Sequence, residues 1–248
     1  MKLHILGCSG WIPGKNETSC FMIEHKNRLI ILDMGTGISN LCKYKETLSK
    51  YDEVSIILSH YHLDHTIGII YLLPYVKEKK LVIHGPGKPY YTMGTEGYLT
   101  ELLRTEFFSR PLLKIAKQVE CRDYTADGFK IGDIEIGIKE QIHSAPSFQI
   151  SIDKKLIYAT DTAFVPSLFK EDNSGAVLLH ECWETSDTGN SKHSSLPMLI
   201  EGLSKKNFKK IILIHQNPEW TDEDYENIKN QTEKTVFSLG EDGTKFEI

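Results

Sequence analysis

The 248-residue sequence contains no run of about 20 apolar residues, the length a membrane-spanning helix needs. Its start, Met1 to Cys8, is too short and too polar for a secretory signal. The alternation of Leu3 and Ile5 with Lys2 and His4 predicts a first strand there instead. Cysteine is sparse: five residues, scattered, with no C-x-x-C pair. That excludes a disulfide framework, and a reducing, cytoplasmic setting is expected. Cys8, Cys20, Cys42, Cys121 and Cys182 read as core or strand filler rather than nucleophiles. Proline-rich linkers, low-complexity tracts and short repeats are missing, so one domain over residues 1–248 is expected. Positive charge is not in excess either. The net charge of −5 speaks against a large nucleic-acid footprint, although a local groove can be positive on an acidic chain.

What is present is a mixture of short apolar runs and helical stretches. Strands are expected at 19–24, 28–33, 54–59, 81–84, 129–139, 148–152, 156–160, 176–180 and 210–215. Helices are expected at 66–76, 96–107, 195–205 and 221–233. Ile131-Gly132-Asp133-Ile134 and Asp153-Lys154-Lys155 read as hairpin turns. Sheets with helices packed outside them follow from this mixture. Four apolar runs end in a residue able to bind a metal: Val54–Leu58 before Ser59-His60, Leu156–Thr160 before Asp161, Val177–Leu179 before His180-Glu181, and Ile211–Ile214 before His215. Continuous apolar runs are typical of strands buried on both faces. The ends of such strands are where open α/β sheets place their sites.

The densest chemistry is Ser59-His60-Tyr61-His62-Leu63-Asp64-His65. On an extended segment His60 and His62 project to one side. Asp64 and His65 then need a turn, and the two pairs can serve neighbouring metals. Imidazole and carboxylate ligands suit zinc, and also manganese or iron.

The pattern H-x-H-x-D-H resembles that of metallo-β-lactamase-fold hydrolases. Asp33-Met34-Gly35-Thr36-Gly37, His143–Phe148, Thr160-Asp161-Thr162 and His215–Pro218 resemble later segments of that family, in order. His180-Glu181 followed by Lys192-His193-Ser194-Ser195 looks like the ribonuclease Z branch. The resemblance implies an αββα sandwich of class α/β. It implies two metal ions, zinc foremost, one held by His60, His62 and His143 and the other by Asp64, His65 and His215, with Asp161 bridging. It makes His193 the general acid, oriented by Glu181, and gives Asp64 a catalytic place beside its metal. Two metals can clamp the attacking and leaving oxygens of an in-line displacement, which suits a phosphodiester.

Ribonuclease Z of bacteria grips tRNA with an arm inserted before the bridging aspartate. Here residues 144–160 alone separate His143 from Asp161 and read as two strands and a turn. Lys205-Lys206 and Lys209-Lys210 read as a solvated helix end rather than an RNA track. The chain therefore resembles cyclic-nucleotide phosphodiesterases of the anti-Pycsar kind, which degrade cyclic pyrimidine nucleotides and act as homodimers. A small nucleotide substrate, no large nucleic acid and no membrane partner are expected. A tRNA 3′ endonuclease and a lactone or thioester hydrolase remain the alternatives.

Among other residues, His4 and His25 read as solvated. His84 ends a strand beside a loop placed to line a pocket, and His180 packs or supports the site. Asp33 either supports the metals through hydrogen bonds or only stabilises its glycine-rich turn. Ser194 or Ser195 is expected to cap a helix. Tyr90, Tyr91 and Tyr98 could stack a base or form a dimer contact, and Phe107 and Phe108 read as helix core. Gly94 and Gly97 suit a mobile lid or simple turns.

Overall fold

A computed structural model describes residues 1–169, 173–189 and 191–248. The first half supplies β1 (Lys2–Gly7), β2 (Cys20–His25), β3 (Arg28–Leu32), β4 (Glu53–Ile57), β5 (Lys80–Gly85) and β6 (Gln118–Asp123). The second supplies β7 (Phe129–Ile131), β8 (Ile134–Gln141), β9 (Ser147–Ile152), β10 (Leu156–Ala159), β11 (Val177–Glu181), β12 (Lys210–Ile214) and β13 (Phe237–Leu239). A last strand, β14 (Lys245–Glu247), crosses back and pairs with β1, giving two seven-stranded sheets. Helices α1 (Lys45–Leu48), α2 (Ile69–Val76), α3 (Thr95–Leu102), α4 (Leu196–Leu203) and α5 (Asp222–Thr232) lie between strands.

Each sheet has an antiparallel half and a parallel half. β1, β2 and β3 pair as hairpins, whereas β3 to β6 run parallel. β7 to β10 are antiparallel, and β10 to β13 parallel. The sheets face each other across a core of Leu3, Phe21 and Ile23 on one side and Phe148, Ile150 and Tyr158 on the other. The Phe21 and Tyr158 rings meet at 5.3 Å. Outside the first sheet, Leu72 and Val76 of α2 and Leu99 of α3 pack on Ile31 and Ile56. Outside the second, Leu196, Leu199 and Leu203 of α4 and Ile228 of α5 pack on Leu178 and Leu213. This is the expected αββα sandwich. Its parallel strands read as unbroken apolar runs because both their faces are covered.

Residues 144–160 form β9, a tight turn and β10. Asp153 and Lys154 both take positive φ, 47° and 55°, in the three-residue turn that joins β9 to β10. Among the described residues no helix is long and apolar enough to cross a membrane.

The structure corrects several local expectations. α2 begins at Ile69, because residues Leu63–His65 make a 3₁₀ turn and Gly68 N–H donates to the Met34 carbonyl. α3 stops at Leu102, leaving Phe107 78% exposed rather than in a core. His4 is buried, bonded to Glu24 at 3.0 Å and set edge-on to Tyr44. His25 bonds Asp153 at 2.8 Å, tying the β2–β3 turn to the β9–β10 turn. Neither histidine is solvated; a carboxylate within reach lets each be buried. β6, β13 and β14 lacked a legible signal because they are edge or near-edge strands with polar or very short sequences.

Candidate metal centre

Parallel strands deliver the site. The chain leaves β4 at Ile57 and reaches His60, leaves β10 at Ala159 and reaches Asp161, and leaves β12 at Ile214 directly into His215. Glu181 closes β11. All four strand ends meet at one edge of the sandwich, with His143 coming from the β8–β9 connection.

Asp161 stands at the centre. Its Oδ1 lies 3.7 Å from His60 Nε2 and 3.4 Å from His143 Nε2. Its Oδ2 lies 2.9 Å from His65 Nε2 and 3.0 Å from His215 Nε2. His62 Nδ1 is 3.3 Å from His143 Nε2, and Asp64 Oδ2 is 3.2 Å from His65 Nε2 and 3.3 Å from His215 Nε2. Two groups of four donors result, His60, His62, His143 and Asp161, and Asp64, His65, Asp161 and His215. They share Asp161, one oxygen toward each. These are the seven residues read from the sequence as metal ligands.

Two observations fit these groups to metal ions. His60 Nε2 and His65 Nε2 are buried and make no hydrogen bond, although carboxylate oxygens lie close to both. A buried donor or acceptor left without a partner is costly, and a cation among these atoms supplies one. The other ring atoms are fixed from behind. Asp33 Oδ2 accepts from His65 Nδ1 at 2.7 Å. Ser59 Oγ donates to Asp33 Oδ2 at 2.7 Å and lies 3.0 Å from His60 Nδ1. Tyr158 Oη and the Ser59 amide also donate to Asp33. Binding one ring nitrogen to an acceptor sets the tautomer and aims the other nitrogen at the metal. Of the two readings of Asp33, the supporting one is therefore the structural fact. Ser59 and Tyr158 escaped the sequence reading; a serine before a histidine and a tyrosine in a buried strand carry no local signal.

Electrostatics divide the two groups. Burial pushes His60, His62 and His143 below the usual imidazole value, which keeps them neutral, the form that ligates metal. Burial alone would raise the Asp161 carboxyl, but His215, His65 and His60 around it hold it well below the usual range. Asp33, Asp161 and His215 all adopt positive φ, 56°, 49° and 48°. Side chains rarely adopt this region, and such strain gathers at functional sites.

Beside the second group, Glu181 is fully buried. Its Oε1 accepts from the Thr162 and Ser194 amides and its Oε2 from His193 Nδ1 at 2.8 Å. Burial raises its carboxyl, yet the bonds from His193 and His215 bring it below the ordinary value. Trp183 stacks on the His193 ring at 5.1 Å. These side chains border a cleft of about 220 Å³, lined by Trp11, Asp64, Asp161, Trp183, His193 and His215 among others. A larger hollow of about 390 Å³ lies between Cys42 and Lys79, but it gathers no comparable set of donors.

The remaining candidates sit outside the two donor groups. His84 is buried and stacks on Phe129 at 4.3 Å, and the loop after it, residues 85–87, is not among the residues that line the cleft. His180 packs against Phe164 and Phe169. Ser195 precedes α4, but its hydroxyl caps nothing; the Leu196 amide finds the Glu184 carbonyl instead. The tyrosines are occupied internally. Tyr61 stacks on Tyr98 and bonds Thr95, Tyr91 Oη donates to the Pro146 carbonyl, and Tyr90 packs on Phe148. Segment 86–98 is pinned to the ligand loops by these contacts, and Gly94 serves as the residue before α3. Cys8, Cys20 and Cys182 are buried, with thiols raised chiefly by burial.

The family described as anti-Pycsar protein Apyc1 matches residues 1–237. The chain belongs to this family. A ribonuclease Z of Clostridium acetobutylicum is 30% identical over 168 residues, covering 62% of this chain and 51% of its own, so the match spans about half the length of that relative. The probable metallo-hydrolase YhfI of Bacillus subtilis is 26% identical over 73% of this chain and 72% of its own. The crystal structure of YhfI, a metallo-β-lactamase fold protein, superposes with a TM-score of 0.75, covering 99% of this chain and 98% of that one at 19% identity. Human tRNase Z, short form, gives 0.71 at 17% identity, covering 100% and 99%. The fold of this anti-Pycsar family member is thus that of the metallo-β-lactamases, with His and Asp clusters able to bind metal.

Proposed function

We propose that this protein is a dinuclear, zinc-dependent phosphodiesterase that opens a 3′,5′-cyclic nucleotide, a cyclic pyrimidine nucleotide foremost, to the nucleoside monophosphate. The observation that carries the reading is the pair of donor groups sharing Asp161, with His193 bonded to the buried Glu181 beside them. Histidine-rich groups with carboxylates suit zinc. Two such ions supply Lewis acidity toward the phosphoryl oxygens and activate water for attack.

The chain's own residues do the rest. Asp33 and Ser59 hold His65 and His60 in one orientation, so the ligand geometry is set before substrate arrives. Glu181, fixed by two amides, holds the His193 ring through Nδ1. His193 then delivers a proton from Nε2 to the departing ribose oxygen, a poor leaving group that gains from general acid catalysis. Trp183, stacked on the same ring, limits its rotation.

The short β9–β10 hairpin and the small cleft favour a mononucleotide over tRNA. Family membership supports the same choice. The homodimer implied by the resemblance belongs to this proposal, and sedimentation at the mass of two chains checks it. The deciding experiment sets 3′,5′-cyclic nucleotides against a tRNA precursor, with metal analysis of the same sample. We expect cyclic-nucleotide hydrolysis that chelation abolishes, and two zinc ions per chain. Cleavage of the precursor alone would overturn the reading.

A further inference from the structure

Trp11 has no part in the chemistry above, yet it lines the cleft and its side chain is 60% exposed. An indole beside a site offers a ligand a large flat apolar face. The loop that carries it is not loose. The Ser9 amide donates to the Glu17 carbonyl and the Gly10 amide to the Gln216 carbonyl. The Trp11 amide itself donates to Asp64 Oδ2 at 2.8 Å, a carboxylate of the second donor group. Gly10 lies so close to the His215 ring that a Cβ there would fall 2.3 Å from it. Trp11 also takes φ 59°, a conformation disfavoured for a large side chain. The backbone is thus held in a strained form that attaches an indole directly beside the donor atoms.

Trp183 is the other indole of the cleft, but one of its faces is against His193. Tyr91 and Tyr98 pack on each other and on Tyr61, and Tyr90 packs on Phe148. Trp11 therefore stands apart as an exposed indole whose backbone is anchored at the donor atoms. A flat, uncharged aromatic ring recognises another flat ring by stacking, in a way tolerant of the base's identity. A mononucleotide presents one such ring a sugar's length from its phosphorus.

We infer that Trp11 is the platform on which the nucleobase stacks while the phosphodiester lies at the metal centre. The inference rests on the nucleotide reading above and adds to it how the base is held. Trp11 is then a substrate-binding residue. Removing it weakens base-bearing ligands selectively, because a ligand without a base has nothing to lose there.

The test is calorimetric titration of the metal-loaded protein with uridine 5′-monophosphate and, separately, with ribose 5-phosphate. The wild type should bind the base-bearing probe about tenfold more tightly. Trp11→Ala should erase that difference, and Trp11→Phe should retain most of it. With a cyclic pyrimidine nucleotide, Trp11→Ala should raise KM about tenfold, far more than it lowers kcat. Equal wild-type binding of the two probes overturns the inference. So does an equal loss for both probes in Trp11→Ala, which would mean that Trp11 acts only through Asp64. A Trp11-dependent preference for the nucleotide probe, in a wild type that hydrolyses no cyclic nucleotide, would leave the platform standing and remove the phosphodiesterase reading.

Discussion

Two side chains carry separable tasks at the residue scale. In the proposed reaction His193 is the proton donor, yet it lies outside both four-donor groups, bonded instead to Glu181. His193→Ala should therefore lower turnover by roughly 10²–10³-fold, the range of a lost general acid. Plasma-emission analysis should still find two ions per chain in that variant. Asp33 does the opposite: it touches no substrate but holds His65 and, through Ser59, His60. Asp33→Asn should weaken metal binding by roughly 10–100-fold, read by competition with a chromogenic chelator. Saturating metal should then restore much of the activity. The first four ligands were legible because four donor residues, three histidines and an aspartate, crowd into residues 60–65. Asp33 was ambiguous because its sequence neighbours, Met34-Gly35, look the same whether it supports a turn or a histidine.

At the scale of elements, the loop after β1 and the strand β5 give distinct tests. A Cβ at position 10 would meet the His215 ring at 2.3 Å, and that ring is held by Asp64, Asp161 and Glu181. Gly10→Ala should displace it, costing about 1–3 kcal/mol as overpacking does and lowering metal occupancy. Thermal melting with metal analysis checks both. On β5, burial beside Arg122 pushes the His84 imidazole down to about 4. The folded state then keeps His84 neutral while the unfolded chain protonates it below the ordinary value of 6.5. Stability should fall as pH drops from about 6.5 to 4, by roughly 3 kcal/mol from this group. His84→Phe should lose less stability between pH 7 and pH 4.5 than the wild type in urea denaturation. Strands with unbroken apolar runs were readable from the sequence, whereas β6 and β14 were not, since polar residues suit an edge that water reaches.

For the whole molecule, the two sheets meet their ligands at one edge, so metal binding and folding are linked. Donors from residues 60–65, 143, 161 and 215 come together only in the folded chain. Ions at about a thousand times their dissociation constant should raise Tm by about 10 °C over the chelated protein. Differential scanning calorimetry with and without chelator measures this, and an unchanged Tm would count against occupancy of the centre.

The sequence by itself showed four apolar runs ending in donors and the cluster at residues 60–65, because period and spacing are local; the αββα sandwich and the full donor set, His143 included, were implied by the resemblance of its motifs to a family. Apolar runs buried on both faces, each ending in a donor, specify parallel strands and the edge where they end. The tertiary structure decided what spacing does not encode. It gave Asp161 one oxygen for each group, Asp33 a histidine rather than only a turn, and His193 its buried carboxylate. It also turned Tyr90, Tyr91 and Tyr98 inward and left Trp11 beside the cleft. Those outcomes depend on contacts between residues far apart in the chain, where packing and hydrogen-bond satisfaction, not propensity, set the direction of each side chain.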